Sequence, residues 1–203
     1  MAGTFPTTFF NTIQFKSNTN TRVTTSISGR TQRASVAGQF FSFKMTSIPL
    51  SLSDFKTVNA FINNQHGRLE SFTITPPVIA STSGTATGTV TVVDDSSIDP
   101  AYNITSGSTT IPISGGTGTL KAGDFVKFSN HNKVYQLTAD TDLDGSTIDT
   151  MNIFPALTTA VTGSTTVTYN DVPFRVFLNS DQSTFATDVE GFYRYEIEVR
   201  EEL

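Results

Sequence analysis

Three groups of side chains in this sequence have types and spacings that could do chemistry. The first is Asp140-Thr141-Asp142-Leu143-Asp144-Gly145, where alternate carboxylates can converge on a hard cation such as calcium and the glycine permits a sharp turn. The loop's twelfth position, which should carry a bidentate Glu, is Met151, and the flanks read as strands. An acidic hairpin turn is therefore the expected reading, with Asp140, Asp142 and Asp144 kept as candidate ligands and Asp149 as the nearby extra one. The second group is His66 and His131, the only imidazoles. A metal site would need them together or combined with carboxylates. Each has a structural reading instead, His66 at a helix end and His131 in the turn Ser129-Asn130-His131-Asn132-Lys133. No metal and no cofactor is expected.

The third group is Arg22, Arg30 and Arg33, set among Ser, Thr and Gly. Such a basic segment could contact phosphates, but the whole chain carries a net charge of −5. The preferred reading is a loop that becomes ordered on a neighbouring subunit, where Arg30 and Arg33 pair with carboxylates. A solvated loop and a nucleic-acid contact are the alternatives. With no cysteine there is no thiol nucleophile, disulfide or thiolate metal site. Nucleophile elbow, P-loop and dinucleotide fingerprint are also missing, so no enzyme is expected. A carbohydrate-binding module is a rival, but Trp is absent and the stacking platform would fall to Tyr102, Tyr135, Tyr169, Tyr193 and Tyr195.

The elements that must position these residues are mostly strands. In 203 residues there are 35 Thr, 21 Ser and 17 Phe, and only 15% of positions are charged. β-Branched and aromatic residues favour strands, while the usual helix-surface residues are scarce. Period-two patterns mark strands at Phe10 to Lys16 and Arg22 to Ser28, read as a hairpin turning at Ser17-Asn18-Thr19-Asn20, and again at Gln39 to Thr46 and Leu69 to Thr75. Residues 52–66 change period, with Phe55, Val58, Phe61 and Ile62 on one stripe. Ser51 or Ser53 can cap this helix, Asp54 suits its start and Gly67 its end.

Ser81 to Thr89 is a polar connector or a strand edge. Short strands then follow around Thr109 to Ile113, Phe125 to Phe128, Val134 to Thr138, Ile148 to Ile153 and Thr165 to Tyr169, a rhythm suited to a small barrel or sandwich. Phe174 to Leu178 and the sharply alternating Phe192 to Glu201 close the chain. The pattern predicts a discontinuous domain of residues 1–96 plus 172–203 with a small β module, 97–171, inserted. Charge divides the same way: seven basic and four acidic residues in 1–96, three and seven in 97–171, three and seven in 172–203. No run reaches the length of a membrane span, and the amino terminus lacks the pattern of a signal peptide.

The order Ser26-Ile27-Ser28-Gly29-Arg30-Thr31-Gln32-Arg33, the Phe40 to Met45 strand, the Asp54 to Gln65 helix and Gly67-Arg68-Leu69-Glu70-Ser71-Phe72 resembles tail proteins of long-tailed bacteriophages, and most of all the distal tail protein group. The stretches Leu120 to Phe128, Lys133 to Thr138, Ile153-Phe154-Pro155-Ala156-Leu157 and Val172-Pro173-Phe174 resemble a small β module found inside such proteins. The resemblance implies a mainly β fold, a tail-tube-like β-sandwich flanked by one α-helix, with a long loop reaching the adjacent subunit. It implies a structural virion protein of the tail, assembled in the host cytoplasm as a ring, sixfold, that joins tail tube to baseplate or tail tip. Expected partners are further copies of the chain, the tail tube protein, a baseplate hub or tip protein and a tail fibre, with genomic DNA passing the lumen unbound. A tube, terminator or head-tail joining protein is the alternative within this class. The subunit-interface candidates are Arg22, Arg30, Arg33, Phe55 and Asn59.

Overall fold

The structure is a computed structural model that describes residues 3–94, 104–188 and 190–203. Along the chain come β1 (Phe10–Thr25), β2 (Thr31–Ser47), α1 (Leu52–Asn64), β3 (Ser71–Ile74), β4 (Val90–Val92), β5 (Thr110–Ser114), β6 (Gly118–Leu120) and β7 (Phe125–Phe128). They are followed by β8 (Val134–Leu137), β9 (Thr141–Leu143), β10 (Asp149–Phe154), β11 (Thr166–Thr168), β12 (Phe174–Leu178), β13 (Thr184–Thr187) and β14 (Tyr193–Glu201). The fold class is the expected one: mainly β, with one α-helix and a small barrel.

Contacts divide the chain into two compact units, Met1–Phe72 with Val176–Leu203, and Thr73–Arg175. The first is built on a six-stranded sheet of order β1-β2-β14-β12-β3, with β13 also paired to β14. On β14 the side chains alternate, Tyr195, Ile197, Val199 and Glu201 buried, Arg194, Glu196 and Glu198 exposed. Phe41, Phe43 and Met45 of β2 bury alongside them. α1 forms because Phe55, Val58 and Ile62 make one apolar stripe and Ser51 Oγ accepts from the Asp54 amide at 3.3 Å. Its end comes at Asn64, two residues short of the expected limit, and His66 and Gly67 beyond it take positive φ of 52° and 67°. Phe5, Phe10, Phe61 and Phe72 close that end with ring centroids 5.0 to 5.8 Å apart. Each fully buried ring contributes about 1.5–3 kcal/mol against exposure.

The second unit contains a closed barrel of order β10-β5-β4-β11-β7-β8. Val90, Ile111, Ile113, Val126, Phe128, Tyr135, Leu137, Met151, Ile153 and Val167 belong to one buried cluster. β6 and β9 pair as a separate ribbon. Here β4 is a barrel strand, paired to β5 and β11, although the sequence pattern placed it with the outer domain. Three residues are too few to show which sheet they will join.

The expected turn at Ser17 to Asn20 does not exist. β1 runs unbroken through it, and the hairpin turns at Ser26 to Arg30. Asn and Ser suggested a turn, but the cross-strand ladder from Phe10↔Ser47 to Thr25↔Thr31 runs through them, with register shifts between Phe10 and Thr12 and between Asn18 and Asn20.

Candidate assembly surface

The hairpin of β1 and β2 outruns its sheet. β14 pairs with β2 from Thr46 only as far as Ser42, whereas β1 continues to pair with β2 out to Thr25↔Thr31. Every residue from Thr19 to Val36 is exposed. The free part of the ribbon spans roughly eight residues per strand, about 26 Å at about 3.3 Å per residue. β-Branched Thr and Val support the extended backbone, yet a two-stranded ribbon buries no core and is marginal alone.

The ends of this arm are specified. At its tip the Ser26 amide donates to the Arg30 carbonyl and the Gly29 amide to the Ser26 carbonyl, both at 2.9 Å, and Gly29 takes φ +78°, which disfavours a side chain. At its base Asn18 pairs with Phe40 and Asn20 with Val36, so β2 carries a bulge in which Gly38 has φ +104°. Asn18 Nδ2 donates to Ser42 Oγ at 2.9 Å, Gln39 Nε2 to Ser17 Oγ at 3.0 Å, and the Phe41 amide to the buried Glu201 Oε2 at 3.0 Å.

Arg22, Arg30 and Arg33 all lie on the arm, exposed, and none makes an ion pair among the described residues. Val23 faces Arg33 across the ribbon and Arg22 faces Ala34, so the two arginines lie on opposite faces. Apolar side chains accompany them, with Val23 57%, Val36 49% and Ile27 fully exposed. Residues 1–53 hold Lys16, Arg22, Arg30, Arg33 and Lys44 and no acidic residue. The other two interface candidates sit on α1. Phe55 is buried, its ring stacked on Tyr193 at 4.2 Å, and Asn59 Oδ1 accepts from the Tyr195 hydroxyl at 2.6 Å.

The acidic loop spends its carboxylates on separate tasks. Asp140 accepts from the Ala122 amide at 2.8 Å and Lys121 Nζ at 2.7 Å, which hold its pKa below the usual range. Asp142 accepts from Thr119 Oγ1 at 2.8 Å. Asp144 accepts from the Thr147 amide and hydroxyl and the Ser146 amide, and these bonds lower its pKa to about 2. Among the described residues no three His, Asp or Glu side chains gather as metal ligands.

His131 lies in its expected turn and contacts the barrel interior. Its Nε2 is 2.8 Å from the Tyr135 hydroxyl and its Nδ1 2.6 Å from Asn130 Oδ1, while the Thr158 amide donates to the same hydroxyl at 3.1 Å. Burial, then Lys127 and Lys133, lower its pKa. Tyr135, Tyr169 and Tyr195 are buried and Tyr193 is half-buried against Phe55, while Tyr102 lies outside the described residues. Buried as they are, Tyr135, Tyr169 and Tyr195 offer no open ring face for sugar stacking.

Asp124 was not singled out by sequence. It is 5% exposed and accepts from the Thr82 hydroxyl, the Ser83 amide at 2.9 Å and hydroxyl at 2.7 Å, and the Lys121 amide at 3.0 Å. Burial alone would raise its pKa, and these donors together bring it below the ordinary value. The hydroxyls of Thr82 and Ser83, in the polar connector, are thus donors to one carboxylate some forty residues on, a link that no local pattern reveals.

The chain contains no helix among its described residues long and apolar enough to cross a membrane. No curated protein matches it. Residues 101–172, a stretch that holds β5 to β11 of the barrel unit, match the family model described as distal tail protein pb9, B domain. That stretch is therefore similar to a domain of a phage distal tail family, a structural and not an enzymatic one, and the same group was expected from the sequence.

Proposed function

We propose that the protein is a structural virion component that assembles as a homo-oligomeric ring, sixfold, at the distal end of a phage tail. There it connects the tail tube to the baseplate or tip. The observation that carries this reading is the match of residues 101–172 to a distal tail protein domain. The exposed arm of β1 and β2 supports it, because an arm that buries nothing on its own chain gains stability when a neighbour covers it. Arg22, Arg30 and Arg33 serve that contact, while Phe55 and Asn59 hold α1 to the sheet of the same chain.

The tail tube protein, a hub or tip protein and a fibre are the further partners, and the 101–172 stretch is the part that meets tip or fibre. DNA passes the lumen unbound, as the chain's net charge of −5 favours. A tube, terminator or joining ring would use the same arm, and the distal-tail match favours the tail end. Sedimentation of the purified protein over a concentration series, with negative-stain images, tests the proposal. Closed rings with an open centre support it, and a monomer at every concentration overturns it.

A further inference from the structure

Two features of the sheet unit remain without a task, and their chemistry is complementary. The first is the arm tip, where Ile27 is fully exposed and Arg30 stands three residues on without an ion pair among the described residues. The second is a cleft of about 240 Å³ beside the segment that joins β12 to β13. β12 pairs with β14 as far as Leu178↔Val199, and β13 resumes at Thr184↔Glu196. The Asn179 amide still donates to the Glu198 carbonyl at 2.9 Å, and residues 180–183 then leave the ladder and open the cleft over Ile62, Leu178, Tyr195 and Ile197. The space exceeds the ~150 Å³ apolar cavity that accepts benzene, so an aliphatic side chain fits.

Charge gives the cleft a direction. Lys44 on its rim pairs with Glu196 at 2.7 Å and stands opposite Glu198 in the ladder, so one lysine faces two carboxylates and the rim keeps a net negative charge, with Glu198 the exposed carboxylate outside the ion pair. From Val176 to Tyr193 the chain carries Asp181, Asp188 and Glu190 and no basic residue, the reverse of residues 1–53. The arm is exposed along its length, so it does not fill the cleft of its own chain.

We propose that the arm tip of one copy seats in this cleft of the next copy, with Ile27 against the apolar floor and Arg30 paired to Glu198. The proposal rests on the ring reading and names the surface that receives the arm. A head-to-tail contact of this kind, tip into cleft, is heterologous and repeats around a ring until it closes.

The chain has no cysteine, so Ile27→Cys with Thr184→Cys, the latter on the cleft wall, supplies the only two thiols. Oxidation of assembled double variant is expected to give a ladder of covalent oligomers in non-reducing gels, whereas each single variant stops at the dimer. Glu198→Lys is expected to raise the concentration midpoint of assembly by about tenfold or more, and adding Arg30→Glu to restore it. Both positions are exposed, and matched thermal unfolding checks that the variants remain folded. Rings that form without a ladder, with Glu198→Lys assembling as the parent does, overturn the cleft and leave the ring intact. A parent chain that stays monomeric overturns the ring reading and the cleft with it.

Discussion

The Tyr195 hydroxyl donates to Asn59 Oδ1 at 2.6 Å and ties the middle of α1 to the central strand of its sheet. Tyr195 is 1% exposed, so losing this bond removes a partner from a buried polar group. Tyr195→Phe is expected to destabilise the sheet unit by about 1–2 kcal/mol, with Asn59→Ala similar and the double variant less than additive. Urea unfolding of the three variants checks this. Additive losses would show that the two groups do not act as a pair.

Asp124 gathers four donors from two separate segments. Asp124→Asn replaces an acceptor with an amide that sets donor against donor, at an expected cost of about 2–3 kcal/mol in the barrel unit. The folded-state pKa is depressed, so this stability is present above the ordinary carboxylate pKa and is lost as pH falls through the folded value. Acid unfolding of parent and variant should therefore converge at low pH.

His131 gives a second pH dependence, at a higher pH. Its folded-state pKa lies below the ordinary 6.5, so on acidification the unfolded chain takes up the proton first. Stability is full above about 6.5 and declines as pH falls through the folded value. His131→Gln keeps a polar group beside Tyr135 and removes the proton. The slope of melting temperature against pH just below 6.5 should flatten in that variant.

The acidic loop should not respond to calcium. Asp140, Asp142 and Asp144 each accept from a different donor set, and capture of one ion would break those bonds. A ligand present at one hundred times its dissociation constant stabilises by about 2.7 kcal/mol, a shift of several degrees in a domain of this size. Thermal unfolding with millimolar calcium or with chelator is expected to coincide.

Where local pattern decides, the sequence was readable. Tyr195, Ile197 and Val199 alternate strictly with charged residues, and that strand is found where the pattern puts it. The stripe of Phe55, Val58 and Ile62 likewise locates the helix. Pairing decided the rest. Ser17 to Asn20 has turn composition, but the ladder continuing to Thr25↔Thr31 holds it extended. Val90 to Val92 carries two apolar residues that suit either sheet, and only the barrel's closure assigns them. Of the interface candidates, the arginines were legible as charges without local partners. Asn59 was not legible as a packing residue, because its partner Tyr195 lies more than a hundred residues away, whereas Phe55 already stood on the apolar stripe and only its partner Tyr193 was hidden.

The central claim is that the β1–β2 arm builds a ring. The most direct measurement is mass photometry, over a concentration series, on the parent chain and on a variant with Thr19 to Val36 replaced by a two-residue turn. The account predicts closed oligomers of one defined size for the parent and monomers for the shortened chain, with both melting as folded proteins. Rings of unchanged size from the shortened chain, or monomers of the parent at every concentration, would contradict it.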